Sequence, residues 1–265
     1  MMKNHAFLIW AHNQPLLLKN LVQRLSVPNH HFFIHIDKIA RLDPFVKELE
    51  GLSNVEFLES RYAVNWGSNY QVWATLDLLK HAFEKNIFGY YHLISGVDGF
   101  CSTNQIFDSF FENNLNRRTK LGDFICRYAI KIQKQIARFI PLRSTLPSNF
   151  KFSKGSQWFS FHADFVLFVF DFLKKNPWYK NVLRIHFVVT RIFFQTMLYN
   201  SPLADRIVND NLRDIDWNPT YPNENLPRTL NENDFEKIRA RGSFFCRKID
   251  WSKSQKLVEL LNAIC

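Results

Sequence analysis

The chain has 265 residues, of which 46% are hydrophobic and 22% are charged, so it can form a folded domain with a large core and is not a disordered protein. Its net charge of +10 indicates an anionic partner or substrate. Only 8 glycines occur, with no GxGxxG or GxxxxGK[ST] pattern, which argues against a glycine-rich phosphate-binding loop.

The N-terminal part of the chain alternates between apolar runs and amphipathic segments. Apolar runs predict strands at 6–11, 31–37, 55–58 and 90–94. Apolar residues at helical spacing predict helices at 15–25 and 69–83. A strand–helix–strand order implies parallel strands joined by a right-handed crossover. We therefore expect an α/β fold with a mainly parallel central sheet flanked by helices.

The remainder of the chain predicts further elements of both kinds. Helices are expected from about 106, near 163–174 and 190–199, and over 231–241 and 254–264. Strands are expected at 158–161 and 244–246, and residues 203–216 are predicted to be extended. No repeat, low-complexity tract or linker divides the sequence. We predict one domain over 1–265, with two halves at about 1–115 and about 150–265.

Residues 117–154 concentrate positive charge, with ten basic residues against the single acid Asp123. Such a block indicates a phospholipid surface, a phosphorylated acceptor or nucleic acid as partner, or simply a solvated protein face. Residues 130–140 within it are amphipathic, as in helices that lie on a membrane or pack on their own core. Because nucleic-acid-binding patterns are absent, we expect peripheral membrane contact through 117–154 and no nucleic-acid partner.

The four cysteines, Cys101, Cys126, Cys246 and Cys265, show neither CxxC nor metal-ligand spacing. We find no signal peptide and no uncharged stretch of about 18 residues. We therefore expect reduced thiols, no membrane-spanning helix and a cytoplasmic protein that contacts the inner face of the cytoplasmic membrane peripherally.

Polar residues follow three of the predicted strands, at Ala11–Asn13, Asp37–Lys38 and Ser95–Asp98. In sheets of parallel strands, ligands bind outside the carboxyl ends of the strands. Asp37 can accept hydrogen bonds from a ribose or a uracil. A helix N-cap or turn role is the simpler explanation for one aspartate considered alone.

Three further clusters contain residue types that bind sugars and phosphates. Trp66-Gly67-Ser68 offers a flat aromatic face beside backbone that a ligand can approach closely. Gln157-Trp158 lies just before a predicted strand. Arg247-Lys248 follows another, and this pair suits a diphosphate because Arg binds phosphate in a bidentate way and Lys adds a point charge.

In this order, these segments resemble the core-2/I-branching β-1,6-N-acetylglucosaminyltransferase family, which also includes the peptide O-xylosyltransferases. The resemblance covers nearly the whole chain and is weakest over 117–150. It rests on seven segments: AFLIWAH (6–12), IHIDK (34–38), VNWGS (64–68), YHLISGVD (91–98), KGSQWF (154–159), FFQT (193–196) and FCRKID (245–250).

The resemblance implies an inverting transferase with a GT-A-like nucleotide-diphospho-sugar fold that needs no divalent metal. Basic side chains would stabilise the departing UDP, and Arg247 and Lys248 match the family's phosphate-binding pair. Asp37 and the backbone around Ala11, next to His12, match its uridine contacts. The half at about 1–115 would then bind the nucleotide, and the half at about 150–265 the acceptor and the diphosphate.

The other matched positions concern the sugar and the metal. Trp66, Gly67 and Ser68 match a segment that contacts the nucleotide-sugar, and Gln157-Trp158 matches one that lines the donor sugar and the acceptor. Asp214-Ile215-Asp216 has the Asp-x-Asp form that holds Mn²⁺ in most GT-A enzymes, but it lies too late in the chain. We interpret it as structural and expect no metal or other cofactor besides the UDP-sugar substrate.

One position departs from the family pattern. An inverting transferase needs a general base for the attacking hydroxyl, and Arg191 stands where the family carries a glutamate. Arginine stays protonated and cannot be that base. Either Asp98 substitutes, or the site is no longer catalytic in the family's way. Arg191 itself would bind an acidic acceptor group, or extend from a buried helix to solvent.

The sequence therefore predicts a bacterial enzyme that transfers N-acetylglucosamine from its UDP donor to a hydroxyl of a surface glycan, such as a lipopolysaccharide core. The alternative is a catalytically altered relative that binds a UDP-sugar or a glycan without turnover. The oligomeric state has no signature in the sequence.

Overall fold

A computed structural model describes residues 4–64, 68–86, 88–113, 150–184, 189–217 and 226–264. The strands within these ranges are β1 His5–Ala11, β2 His30–Ile36, β3 Val55–Phe57, β4 Tyr90–Ser95, β5 Gly99–Phe100, β6 Phe159–His162, β7 Arg213–Ile215 and β8 Phe245–Arg247. The helices are α1 Pro15–Leu25, α2 Asp43–Glu48, α3 Tyr70–Lys85, α4 Asn104–Asn113, α5 Ala163–Lys175, α6 Phe193–Tyr199, α7 Phe235–Arg241 and α8 Gln255–Asn262.

The central sheet has the strand order β3-β2-β1-β4-β6. The pairs β1–β2, β1–β4 and β2–β3 are parallel, and only β6 runs antiparallel, beside β4. The predicted α/β fold with a mainly parallel sheet is confirmed. Its middle strands are buried along most of their length because helices cover both faces of the sheet.

A small second sheet, with the order β5-β8-β7, was not expected from the sequence. β5 begins directly after Asp98, so the turn that follows β4 leads into this sheet. β8 pairs with β5, and the backbone N–H of Ile249 donates to the Val97 carbonyl at 3.0 Å. The second sheet therefore holds the end of β8 next to the carboxyl end of β4.

Several predicted elements differ in their limits. The helix predicted at 190–199 consists of a 3-10 turn, Val189–Arg191, followed by α6, and the one at 231–241 begins with the 3-10 turn Glu232–Asp234. The stretch 203–216 is extended only in part, because it contains a further 3-10 turn before β7. α2 was not predicted, since six residues are too few for a clear helical period.

The structure bears on the expectations about thiols and membrane spans only within the described residues. Cys101 and Cys246 are unbonded thiols, as expected, and the other two cysteines lie outside the described residues. Among the residues that the structure describes, no helix combines the length and the hydropathy needed to cross a bilayer.

The imidazole of His35 makes the folded state sensitive to acid. The side chain is buried in β2, and its Nε2 accepts a hydrogen bond from the backbone N–H of Tyr62 at 3.0 Å. Burial lowers the pKa of His35 from 6.5 to about 4, against the opposing effect of Asp37. Protonation would remove the acceptor and place a charge in the core.

A His35→Gln variant should therefore lose less stability in acid than the wild type. The unfolded chain binds a proton as the pH falls through about 6.5, whereas the folded chain stays neutral down to about 4. Stability that is present above pH 6.5 is thus lost as the pH falls through this window. Between about pH 7 and pH 5, we expect the wild type to lose roughly 2 kcal/mol more free energy of unfolding than the variant, measured by urea unfolding. Above about pH 7.5 the free energy of unfolding must change with pH equally in the two chains. An equal change between about pH 7 and pH 5 would contradict the prediction.

Candidate functional site

The carboxyl ends of β1, β2 and β4 meet at one edge of the central sheet, as the sequence predicts. The backbone N–H of Asp37 donates to the Ala11 carbonyl at 2.9 Å, and that of Gly96 donates to the Trp10 carbonyl at 2.8 Å. The end of β8 adds its cations to the same edge, which we call the donor edge. The structure here gathers six of the predicted site residues: Ala11, His12, Asp37, Asp98, Arg247 and Lys248.

Gly96 allows the ends of β1 and β4 to approach closely. A Cβ at position 96 would lie 2.9 Å from the Ala11 Cβ and 3.6 Å from its Cα. Ala11 is buried and paired with β2, so it cannot move aside cheaply.

A Gly96→Ala variant is expected to lose roughly 1–3 kcal/mol of unfolding free energy, because the added methyl overpacks this junction. UDP should also raise its Tm less than it raises that of the wild type, since the ends of β1 and β4 carry the donor edge. The control is Gly155→Ala, whose Cβ would lie 2.9 Å from the Gln195 Cγ, an atom of a flexible side chain. Equal losses in both variants would contradict this explanation.

Asp37 follows β2 and uses both carboxylate oxygens. Oδ1 accepts a hydrogen bond from the Ile39 N–H at 2.9 Å, and Oδ2 accepts one from the Val64 N–H at 3.0 Å. The turn role considered from the sequence is therefore present. Each oxygen keeps a second lone pair for a ligand, and the uridine contact stays a prediction.

Arg61 supports the same loop and was missed by the sequence reasoning. Its Nε donates to the Ile36 carbonyl at 3.1 Å, and its Nη2 donates to the Asp37 carbonyl at 2.7 Å and to that of Ala40. The guanidinium thus fixes the loop after β2 that carries Asp37. Its partners are backbone atoms, which leave no pattern in the sequence.

His12 lies within the electrostatic influence of the cations after β8. Desolvation by the surrounding protein lowers the pKa of His12, Asp37 raises it, and Lys248 and Arg247 lower it again. Such influences decline with distance, so one carboxylate and two cations lie near this imidazole. Four of the residues predicted to bind UDP, His12, Asp37, Arg247 and Lys248, therefore lie in one group.

A cluster of two arginines, an aspartate and a tryptophan underlies the donor edge. The guanidinium of Arg247 lies 4.4 Å from the ring centre of Trp158, and its Nη1 lies 3.4 Å from the Asp98 Oδ1. Arg213 approaches from the other side, with its Nε 3.9 Å from the Asp98 Oδ2. The side chains of Arg213 and Asp98 are fully buried, and that of Arg247 is 13% exposed.

The charges of this cluster do not cancel, because two guanidinium groups face one carboxylate. Burial lowers the pKa of Arg213 to about 10 against the opposing effect of Asp98, so Arg213 stays protonated near neutral pH. The Nε and Nη1 of Arg247 are buried and have no hydrogen-bond partner among the described residues. A surplus of positive charge beside the donor edge fits an anionic ligand such as a diphosphate.

Asp98, predicted as a substitute base, is enclosed by this cluster. It has 0% exposure, and its Oδ2 accepts a hydrogen bond from the Ser95 N–H at 3.0 Å. A general base must reach the acceptor hydroxyl, which this carboxylate cannot do while Arg213 and Arg247 surround it. The geometry corrects the prediction: Asp98 fits the role of a positioning residue for the two arginines.

An Asp98→Asn variant is expected to lose about 3 kcal/mol of unfolding free energy, because two buried arginines lose their counter-charge. Its affinity for UDP should fall as well, since Arg247 loses the group that orients it. Urea unfolding and UDP titration measure both effects. Asp171→Asn is the control, because Asp171 pairs with Lys175 at 2.8 Å on the surface of α5. A variant with normal stability and UDP affinity but lower kcat would instead identify Asp98 as a base.

A cavity of about 770 Å³, a size suited to a sugar-containing ligand, lies along β6, and none of the six residues gathered at the donor edge belongs to its wall. Trp158 belongs to its wall and so connects the cavity to Arg247. Gln157, which the sequence groups with Trp158, is not part of this wall and accepts a hydrogen bond from the Thr190 hydroxyl at 3.4 Å. Other residues of the wall include Tyr90, Lys154, Ser156, Phe161, Gln195 and Asp210.

Arg191 ends its 3-10 turn with an exposed side chain, whereas Val189 and Thr190 of the same turn are buried, which agrees with an arginine that extends from a buried segment to solvent. Its Nε donates to the Gly155 carbonyl at 3.3 Å, and its own carbonyl accepts from the Gly155 N–H at 2.8 Å. Burial lowers the pKa of Lys154, and Arg191 lowers it further, which places the two cations near each other. This arrangement fits the predicted binding of an acidic acceptor group.

The two carboxylates of the Asp-x-Asp sequence are used in ion pairs. Asp214 is buried and pairs with Arg241. Asp216 pairs with Arg228 at 3.0 Å and lies 3.8 Å from the Nζ of Lys237. These contacts agree with the structural interpretation of this sequence.

Two parts of the predicted site fall outside the described residues. One contains Trp66 and Gly67, and the other comprises residues 117–149 of the basic segment. The neighbouring Ser68 has a buried hydroxyl without a hydrogen-bond partner among the described residues. The nucleotide-sugar role of 66–68 and the membrane contact through 117–154 stay predictions.

A mainly parallel sheet with basic side chains at its carboxyl edge agrees with the fold of GT-A-like glycosyltransferases. Residues 5–239 match the family model described as Core-2/I-Branching enzyme. The chain therefore belongs to the Core-2/I-branching enzyme family, a family of glycosyltransferases, as the sequence motifs indicated.

Several curated proteins are similar over most of this chain. Xylosyltransferase 2 of Rattus norvegicus is 25% identical over 97% of the chain, and Xylosyltransferase 1 of Pan troglodytes is 23% identical over 97%. Xylosyltransferase sqv-6 of Caenorhabditis briggsae is 20% identical over 76%. The matched regions cover 33%, 30% and 27% of those proteins, so the chain spans about a third of their length.

Proposed function

We propose that this chain is an inverting glycosyltransferase that moves a sugar from a UDP-sugar to an acceptor hydroxyl without a catalytic metal. The observation that carries the proposal is the cluster of Arg213, Asp98 and Arg247 beside Trp158. UDP gains negative charge as the bond to the sugar breaks, and fixed buried cations stabilise that charge without reorganisation. We assign Arg247 and Lys248 to the diphosphate.

The general base that we assign is Asp210, which the sequence reasoning did not consider. Its side chain is exposed and belongs to the cavity wall, and its Oδ1 accepts the Leu212 N–H at 2.7 Å, which leaves Oδ2 for an acceptor. The next residue, Asn211, donates to the Ser156 hydroxyl at 3.2 Å and ties this loop to the Trp158 segment. Asp210 also raises the pKa of Arg213, so its charge acts on the cationic cluster.

The donor sugar that we propose is xylose, because the similar curated proteins carry the name xylosyltransferase. This choice replaces the N-acetylglucosamine expected from the sequence motifs. The acceptor that we propose is a hydroxyl of a surface glycan, such as a lipopolysaccharide core. Aromatic rings in the cavity wall suit a sugar, and Lys154 suits an anionic substituent on it.

A second function is binding of a UDP-sugar or a glycan without turnover. Its support is Arg191, which occupies the family's base position and uses its side chain to hold the Gly155 carbonyl.

UDP release from a panel of UDP-sugars, with and without EDTA, tests these proposals. Hydrolysis of UDP-xylose that EDTA does not change would support the metal-independent transferase. Faster hydrolysis of UDP-N-acetylglucosamine would reverse the donor assignment. If UDP raises the Tm but neither donor turns over, even with glycan acceptors, the binding function stands. A Tm that UDP does not change would contradict both functions.

A further inference from the structure

A second polar cluster lies at the amino ends of the central strands, away from the donor edge. His5 begins β1 and His30 begins β2, and the parallel register pairs them directly. The carboxylate of Asp108 reaches the same place from α4. One ligand atom from each residue lies within 4.8 Å of the others. β1 has seven residues, which separates this cluster from the donor edge by roughly 20 Å.

His30 cannot satisfy both of its neighbours as a neutral ring. Its Nδ1 lies 2.7 Å from the Leu25 carbonyl oxygen, and its Nε2 lies 2.8 Å from the Asp108 Oδ1. A carbonyl and a carboxylate are both acceptors, whereas neutral imidazole has one N–H. The fully buried position therefore needs an additional positive charge, either a proton or a metal ion, between His30 and Asp108.

The surrounding contacts allow the histidine tautomers that a metal ion requires. With the Nδ1–H of His30 donated to Leu25, the Nε2 lone pair faces Asp108. The Nδ1 of His5 lies 2.9 Å from the His92 Nε2, so an N–H donated outward there also turns the His5 Nε2 lone pair towards Asp108. Such outer contacts fix the tautomers of metal-binding histidines.

The chain of outer contacts continues beyond the imidazoles. The Nδ1 of His92 lies 2.8 Å from the Ser160 hydroxyl, which can accept its N–H. The Nδ2 of Asn29 donates to the Asp108 Oδ2 at 3.1 Å, which holds the carboxylate so that Oδ1 faces the two imidazoles. Each of the three inner residues is thus oriented from outside the cluster.

We propose that His5, His30 and Asp108 bind a divalent transition-metal ion, with zinc as the matching ion, in a structural role. Two imidazoles and a carboxylate are typical zinc ligands with bonds of about 2.0–2.2 Å, which sets tetrahedral ligand atoms roughly 3.3 Å apart. The distances from the Asp108 Oδ1 to the Nε2 atoms of His30 and His5, 2.8 and 3.6 Å, bracket that value. The ion would fasten the first residues of β1 and β2 to α4, and the 12% exposed side chain of Asp108 leaves access for a water ligand.

Metal analysis and cobalt substitution of the wild-type protein, purified without a histidine tag, test the site. We expect about one zinc per chain, visible absorption bands of tetrahedral cobalt(II) after exchange, and a Tm that falls by several degrees on chelation and recovers with zinc. UDP should still raise the Tm of the chelated protein, because the donor edge lies elsewhere.

Variants separate the ligands from their neighbours. His30→Gln and Asp108→Asn should each abolish the cobalt bands. His31→Gln is the matched control, because His31 is half-buried and alternation along β2 places it on the other sheet face. A metal-free wild-type protein without cobalt bands, whose Tm does not respond to zinc, would overturn the proposal and identify a protonated His30–Asp108 pair. That result does not depend on any variant folding.

Discussion

Replacing Arg247 with methionine is expected to lower kcat/KM for sugar transfer by roughly 10²–10³-fold. Methionine keeps the length and an apolar contact with Trp158 but removes the charge and the N–H donors of the guanidinium that we assign to the diphosphate. The departing diphosphate would then lose a cation that is already in place, 4.4 Å from the ring centre of Trp158. UDP itself should bind more weakly, because the product carries the same diphosphate.

The matched control for this change is Arg239→Met. The guanidinium of Arg239 also lies over an aromatic ring, 5.6 Å from the centre of Phe235, but on the exposed face of α7. Steady-state kinetics and UDP titration compare the two variants, and their Tm values check folding. An Arg247→Met variant that folds normally and stays within about threefold of the wild-type kcat/KM would remove Arg247 from the reaction.

The central sheet could be predicted because its strands carry strong local signals. β1 and β2 each contain seven residues, and β4 contains six, and each has enough apolar residues to identify a strand. β5 and β7 contain two and three residues, too few for any periodicity, and their pairing depends on contacts between distant segments. The direction of β6 also depends on its contact with the distant strand β4, so its sequence does not show that it is antiparallel.

The donor edge was predictable where a residue directly follows a strand. Asp37 and the Arg247-Lys248 pair stand at such places, and the structure brings them together. Arg213 gave no signal, since it donates to the Leu93 carbonyl 120 residues away and faces Asp98 across the fold. Long-range partners of this kind are visible only after folding.

Replacing Asp210 with asparagine is expected to lower kcat by about 10²–10⁴-fold, the range for loss of a general base. The acceptor oxygen would have to attack while it still holds its proton. Asparagine keeps a side-chain oxygen that can accept the Leu212 N–H, now 2.7 Å from Oδ1. The Tm and the affinity for UDP should therefore remain those of the wild type, and steady-state kinetics at saturating donor measure the loss.

The matched control is Asp205→Asn, because Asp205 is also exposed and belongs to the same cavity wall. A fall in kcat in both variants would indicate a general effect of negative charge on the cavity rather than proton transfer by Asp210. Comparison with Asp98→Asn then separates two roles of carboxylates at one site. If Asp98 positions the arginines and Asp210 takes the proton, the first variant loses stability and UDP affinity, and the second loses turnover alone. The opposite outcome, with turnover lost in Asp98→Asn and stability and UDP affinity lost in Asp210→Asn, would identify Asp98 as the base and Asp210 as the positioning residue.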